Sequence, residues 1–192
     1  MGYNVPVVTV DNVSFGPGIL YAGACGVCPM TDIGAVRSGA ELIITREKIL
    51  LEQGSPYQLI VQHVVRETVA LNVTGVEWNF TNLVRGLGAG ELLEDGPPAT
   101  YKRFRFGGDM GISNLSLCYR HHTAEGDEVW VKVWCAQGNG EITVNFGDNY
   151  HEFPFGWTAI QPSPLTAWWD DPHDPAGVLA DEEHLCEIYR EM

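Results

Sequence analysis

Apolar and polar positions alternate with a period of two over much of this chain, and that alternation predicts most of its elements. GILYAG (18–23) reads as a short strand. ELIITREKILLE (41–52) has apolar residues of both parities at its ends and Thr45 to Lys48 between them, which predicts a long strand whose two ends are buried on different faces. From Val65 to Thr74, Val65, Val69, Leu71 and Val73 oppose Arg66, Thr68, Asn72 and Thr74, a half-buried strand that Gly75 ends. Phe80, Leu83, Val84 and Leu87 then fall at i, i+3, i+4 and i+7, with Asn79 placed to cap the start and Gly88 just past the end. The spacing predicts a helix over 80–87.

Further strands are predicted over Tyr101 to Phe106 and Leu115 to Arg120. EVWVKVWC sets Val129, Val131, Val133 and Cys135 on one face and Trp130, Lys132 and Trp134 on the other, so a central strand covered on both sides is expected. Ile142, Val144 and Phe146 against Glu141, Thr143 and Asn145 predict its half-exposed partner, with QGNG (137–140) as the hairpin turn. Residues 25–40, 53–62 and 88–100 are rich in Gly, Pro and turn formers and read as connections. The sum is a mainly β domain over 18–162, a β-sandwich or barrel of about seven strands with one flanking α-helix.

The flanks differ. Residues 1–17 read as an extended arm, and 163–192 as a Pro-rich acidic arm in which Asp181, Glu182 and Glu183 open a short helix with Leu185, Ile188 and Tyr189 on one face. From Asp170 onward there are eight acids and one Arg, half of the chain's net charge of -14. That balance argues against a sequence-independent grip on phosphate backbones. The 22 Gly and 11 Pro in 192 residues exceed the usual share and suit many short strands. The first sixteen residues hold no Lys or Arg and no uninterrupted apolar core, so the chain is expected to be made and kept in a cytosol, or in something assembled there. Its five Cys are then expected to be buried apolar residues for the most part, not a disulfide frame.

Candidate chemistry is sparse. Cys25 and Cys28 form one half of a zinc knuckle, but Cys118, Cys135 and Cys186 supply no second pair at ligand spacing, and a redox motif asks for a βαβ setting. His121 and His122 are neighbours on a strand end, where their side chains point to opposite faces. Asp170, Asp171, His173 and Asp174 suit a hard cation, without the regular spacing of a calcium loop. Trp168 and Trp169 beside those acids read either as a sugar platform with a carboxylate pair or as an anchor holding the arm on another surface. Lys102, Arg103 and Arg105 alternate with Phe104 and Phe106, as in a strand on which nucleic-acid bases stack; in so acidic a chain, an ordinary strand with alternate faces, its basic residues free to meet a neighbour's acids, is the favoured reading. Nothing assembles a catalytic or metal site, and no cofactor is expected.

Taken in order, GPGILYAG (16–23), TDIGAVRSGAELIITREK (31–48), ETVALNVTGVEWNFTNLVRGLGAG (67–90) and EGDEVWVKVWCAQGNGEITVNFGDNYHEFPFGWTAI (125–160) resemble the tail tube (major tail) proteins of long-tailed bacteriophages. The resemblance implies a virion protein without catalytic residues, assembled in the host cytoplasm. Six copies would close into a ring, and rings would stack into a tube through which the genome leaves. It further implies partnership with the tape-measure protein and with terminator and hub proteins, and neither a membrane anchor nor tight nucleic-acid binding. By residue, it implies a ring-stacking loop with Gln53, Ser55, Tyr57 and Gln58, and a subunit-boundary helix with Phe80, Leu83, Val84 and Leu87. The arm after Pro162 departs from the family pattern; there Trp168 and Trp169 are expected to clasp a neighbour. The alternative expectation is a β-sandwich binding module for carbohydrate or protein that uses the same two Trp.

Overall fold

The structure is a computed structural model, and it describes residues 18–26, 31–34, 36–56, 58–77, 79–94, 96, 101–108, 111–123, 126–144, 151–161 and 184–191. Ten strands and one helix lie among them: β1 (Ile19–Ala24), β2 (Thr31–Asp32), β3 (Val36–Gln53), β4 (Gln58–Gly75), α1 (Phe80–Leu87), β5 (Glu91–Glu94), β6 (Lys102–Arg105), β7 (Asn114–His122), β8 (Glu128–Gly138), β9 (Phe153–Ala159) and β10 (Cys186–Glu191). The fold is mainly β, as the alternation predicts, with more strands than the expected seven or so.

One antiparallel sheet runs in the order β2-β1-β7-β8-β9-β4-β3, and β5 and β6 form a separate ribbon. The free edge of β8 is shared: β10 pairs with its first half, from Glu128 to Val133, and β9 with its end, from Ala136 to Gly138. The sheet curls until β1 touches β3. Its concave face encloses one core, to which β1 gives Leu20 and Ala22, β7 Leu115 and Leu117, β4 Leu71 and Val73, and β9 Phe153, Phe155 and Trp157.

The expected central strand is found. In β8, Val133 is buried on the core side, while Trp130, Lys132 and Trp134 are buried on the convex side with Cys118. Lys132 is 1% exposed, and its Nζ lies 4.4 Å from the centre of the Tyr189 ring. Tyr189 in turn stacks on Trp130 at 6.0 Å, and the Arg120 guanidinium lies 5.1 Å from the Trp130 ring. A hydrogen bond from the Arg120 guanidinium to the Glu128 carboxylate is the largest influence raising the Arg120 pKa above its ordinary value.

α1 keeps its predicted bounds. Asn79 accepts a hydrogen bond from the Thr81 N–H at 3.0 Å, and Gly88 ends the helix in the left-handed region at φ 69°, which glycine reaches without a Cβ clash. Leu83 is buried in the core, and the Trp157 indole N–H donates to the Arg85 carbonyl at 3.2 Å, tying the helix to β9.

Five expectations are corrected. The loop of 53–62 is only a turn: β3 runs to Gln53 and β4 begins at Gln58. The connection 25–40 holds β2 and the start of β3, and the connection 88–100 holds β5, each fragment too short to alternate visibly. Residues 141–144 form no strand; Ile142 and Val144 pack against the core, and the partner of β8 on that edge is β9, whose Pro154 and Gly156 mask its alternation. Residues 186–191 are strand, not helix, because pairing with β8 overrides a three-residue apolar pattern. Lastly, Cys25 is joined to Cys135 in a disulfide, since the turn after β1 folds across β7 onto β8. Cys118 and Cys186 are free thiols among the described residues, and burial raises the Cys186 pKa, so its thiol stays protonated and unreactive.

The disulfide spans 110 residues of sequence. Losing such a cross-link costs about 2–5 kcal/mol, so Cys25→Ser should lower the stability of the oxidised protein by that amount in urea denaturation. Equal stability with and without reductant would show that the bond does not form. Leu83→Ala should cost roughly 2–5 kcal/mol, because it opens a cavity beneath α1; an unchanged melting temperature would contradict the packing of that helix.

Candidate functional site

The two longest strands, β3 and β4, pair with each other along nearly their whole length, from Val36↔Gly75 to Gln53↔Gln58. Only their roots belong to the domain. β4 pairs with β9 from Ala70 to Gly75 and buries Val69, Leu71 and Val73 there. Beyond Arg46 and Glu67 the two strands pair with no other described strand, and the hairpin continues as an arm. Seven residues from Glu47 to Gln53 at about 3.3 Å each carry it roughly 20–25 Å further.

The arm is apolar on both faces. Ile49 pairs with His63 and Leu51 with Val61 on one face, while Leu50 pairs with Gln62 and Lys48 with Val64 on the other. Bulges between Glu47 and Lys48 and between Leu51 and Glu52 shift the register and re-aim the side chains. Ile49 is 60% exposed, and Leu50, Leu51, Leu59, Ile60, Val64 and Val65 are exposed as well, as are Ile43 and Ile44 at the root. Full burial of such a side chain stabilises by about 1.5–3 kcal/mol, so the arm holds a large unused driving force. The Arg46–Glu67 ion pair, at 2.5 Å and well exposed, adds little.

Both edges of the arm are open as well. β3 ends the sheet order, so its outer edge has no described partner strand, and β4 has none opposite β3 between Gln58 and Val69. A two-stranded hairpin is marginal alone in water, and an open edge with apolar faces is a template for a further strand. The arrangement suits joining protein to protein.

The sequence-predicted residues fall around this arm unevenly. Gln53 and Gln58 are cross-strand partners at its tip, and Ser55 lies exposed in the turn. Tyr57, Trp168, Trp169, the arm 1–17 and the arm 163–192 up to residue 183 lie outside the described residues, while the end of the second arm forms β10. Phe80, Leu83, Val84 and Leu87 sit together on α1, against β8, β9 and the β5–β6 ribbon and away from the arm. Sequence reasoning missed the arm itself. Its signal was the string Ile49 to Leu51 and Leu59 to Val61, two apolar triplets around Gly54 and Pro56. Among the described residues no three His, Cys, Asp or Glu side chains gather as metal ligands would, and no helix is long and apolar enough to cross a membrane.

Comparison with models of protein families finds no match, and comparison with curated proteins finds none either.

Proposed function

We propose that this chain is a structural protein whose copies join into rings that stack as a hollow tube, the tail tube of a long-tailed bacteriophage. The arm carries the proposal. A long hairpin that is apolar on both faces and open at both edges is unfavourable on a solitary molecule, and becomes favourable once a second copy covers it. Rings close such edges by symmetry.

Three features support the same reading. The resemblance to tail tube proteins runs through the domain in chain order and supplies the copy number of six and the tape-measure, terminator and hub partners. The net charge of -14 suits the wall of a duct that must let DNA pass without holding its phosphates. The helix α1, which closes the core beside the open ribbon, gives the ring an outer element near the subunit boundary. In this reading the tip of the arm, with Gln53, Ser55, Tyr57 and Gln58, reaches the next ring; the protein resides in the virion; and no residue acts in catalysis.

Electron microscopy of the concentrated protein should reveal rings or tubes, and a monodisperse monomer at every concentration would overturn the proposal. Leu50→Asp combined with Leu59→Asp should abolish assembly. It should also leave the monomer's stability within about 0.5 kcal/mol, because both side chains face solvent in the single chain.

A further inference from the structure

On the convex face of the sheet, across β3, β4 and β9, lies a groove of about 470 Å³. Its floor is one row of the sheet: Glu41 pairs with Asn72, and Asn72 with Gly156. One wall is the segment after β8, held down by the Asn139 N–H donating to the Gly156 carbonyl at 2.8 Å and by the Thr158 hydroxyl donating to Asn139 Oδ1 at 2.7 Å. A Cβ on residue 156 would stand 2.7 Å from Asn139 Nδ2 and 3.1 Å from Asn72 Oδ1, so glycine keeps the floor open. Glu41 and Glu141, both exposed, bring carboxylates to this groove, and Asn72, Asn139 and Thr143 add neutral hydrogen-bonding groups. It is a slot for cationic, fork-shaped donors.

The same chain carries such donors elsewhere. In the ribbon, Leu92 pairs with Phe104 and turns toward the core, where Phe104 packs, while Leu93 pairs with Arg103 and Glu91 with Arg105 on the opposite face. Arg103 lies over the Tyr101 ring at 5.4 Å, and Tyr101 and Phe106 are exposed at the ends of the strand. Exposed Tyr, Phe and Arg together are the composition of an interface centre.

We propose that the β5–β6 ribbon of one copy docks in this groove of the next copy, with Arg103 and Arg105 set against Glu41 and Glu141. The occupant is a second copy because the complementary charges lie on two separate patches of one chain, and a patch-to-different-patch contact repeats from copy to copy, closing a ring where its rotation allows and running on as a filament otherwise. The contact deepens the assembly reading and rests on it for the identity of the partner.

Sedimentation of the full chain over a range of concentrations tests it. Arg103→Glu with Arg105→Glu should move the association midpoint at least roughly tenfold higher, and so should Glu41→Lys with Glu141→Lys, since each sets like charges together. Thermal melting of the unassociated chain should change only slightly, because all four side chains are exposed and only the exposed Asn72–Glu41 hydrogen bond and the Glu91–Arg105 cross-strand pair are touched. An equimolar mixture of the two variants should regain association, because each supplies the charge that the other's ribbon or groove then lacks; so should the chain that carries all four changes.

Midpoints that stay put in both double variants, with the wild type still forming rings, would overturn this contact alone. Loss of association in both without recovery in the mixture would overturn it too. So would binding of an oligonucleotide that is lost in the Arg variant while association persists. A wild type that never associates would remove the assembly reading itself.

Discussion

Everything in this fold depends on β4 having to satisfy two environments with one strand. Over Ala70–Gly75 it is hydrogen-bonded on both edges, to β3 and β9, and its core-facing residues are buried. Over Gln58–Glu67 it is bonded on one edge only and lies open on both faces among the described residues. The doubly paired half fixes the direction in which the exposed half leaves the domain. An arm anchored this way loses little conformational entropy when it is covered, and preorganisation of that kind favours association.

The convex side shows the contrasting solution. There Lys132 is withdrawn from water within a layer of aromatic rings, Trp130, Trp134 and Tyr189, and Arg120 is fixed by Glu128 and by the Trp130 ring. Cations buried against π faces and carboxylates are settled within the chain. The arm carries instead isoleucine, leucine and valine that stand exposed among the described residues. The aromatic layer over β7, β8 and β10 therefore completes the domain, while the arm is left for another molecule.

Much of the domain was legible because burial on one face writes itself as alternation. β1, β7 and β8 read correctly, and so did α1, whose cap residues Asn79 and Gly88 act on the backbone within a few residues of their place in sequence. The failures share a cause. Where neither face is buried, as at the start of β4, there is no contrast to alternate, and LIVQ (59–62) reads as part of a connection. β9 carries its alternation in Phe153, Phe155, Trp157 and Ala159, but Pro154 and Gly156 between them mask it; both tolerate a convex, groove-side position. The bond between Cys25 and Cys135 and the strand β10 depend on contacts far apart in the chain, which no local pattern records. The groove was illegible for the same reason, being built from rows of three strands.

Self-association of a chain with a charge of -14 demands that its few cations stand where copies meet, since repulsion elsewhere must be offset locally. Their distribution meets that demand. Arg37 pairs with Glu152, Arg120 with Glu128 and Arg190 with Asp127, Arg85 donates to Asn82, and Lys132 is buried, so five of the eleven are committed within the domain. The other six are Arg46, Lys48 and Arg66 on the arm and Lys102, Arg103 and Arg105 on the ribbon. Arg46 and Lys102 each hold a neighbouring Glu on their own hairpin. That leaves Lys48, Arg66, Arg103 and Arg105 without an ion pair among the described residues, all exposed and all on the two hairpins that lack a second cover. Apolar area and unpaired positive charge thus concentrate on the same elements of a strongly acidic molecule, which is the distribution expected if those elements bind other copies of itself.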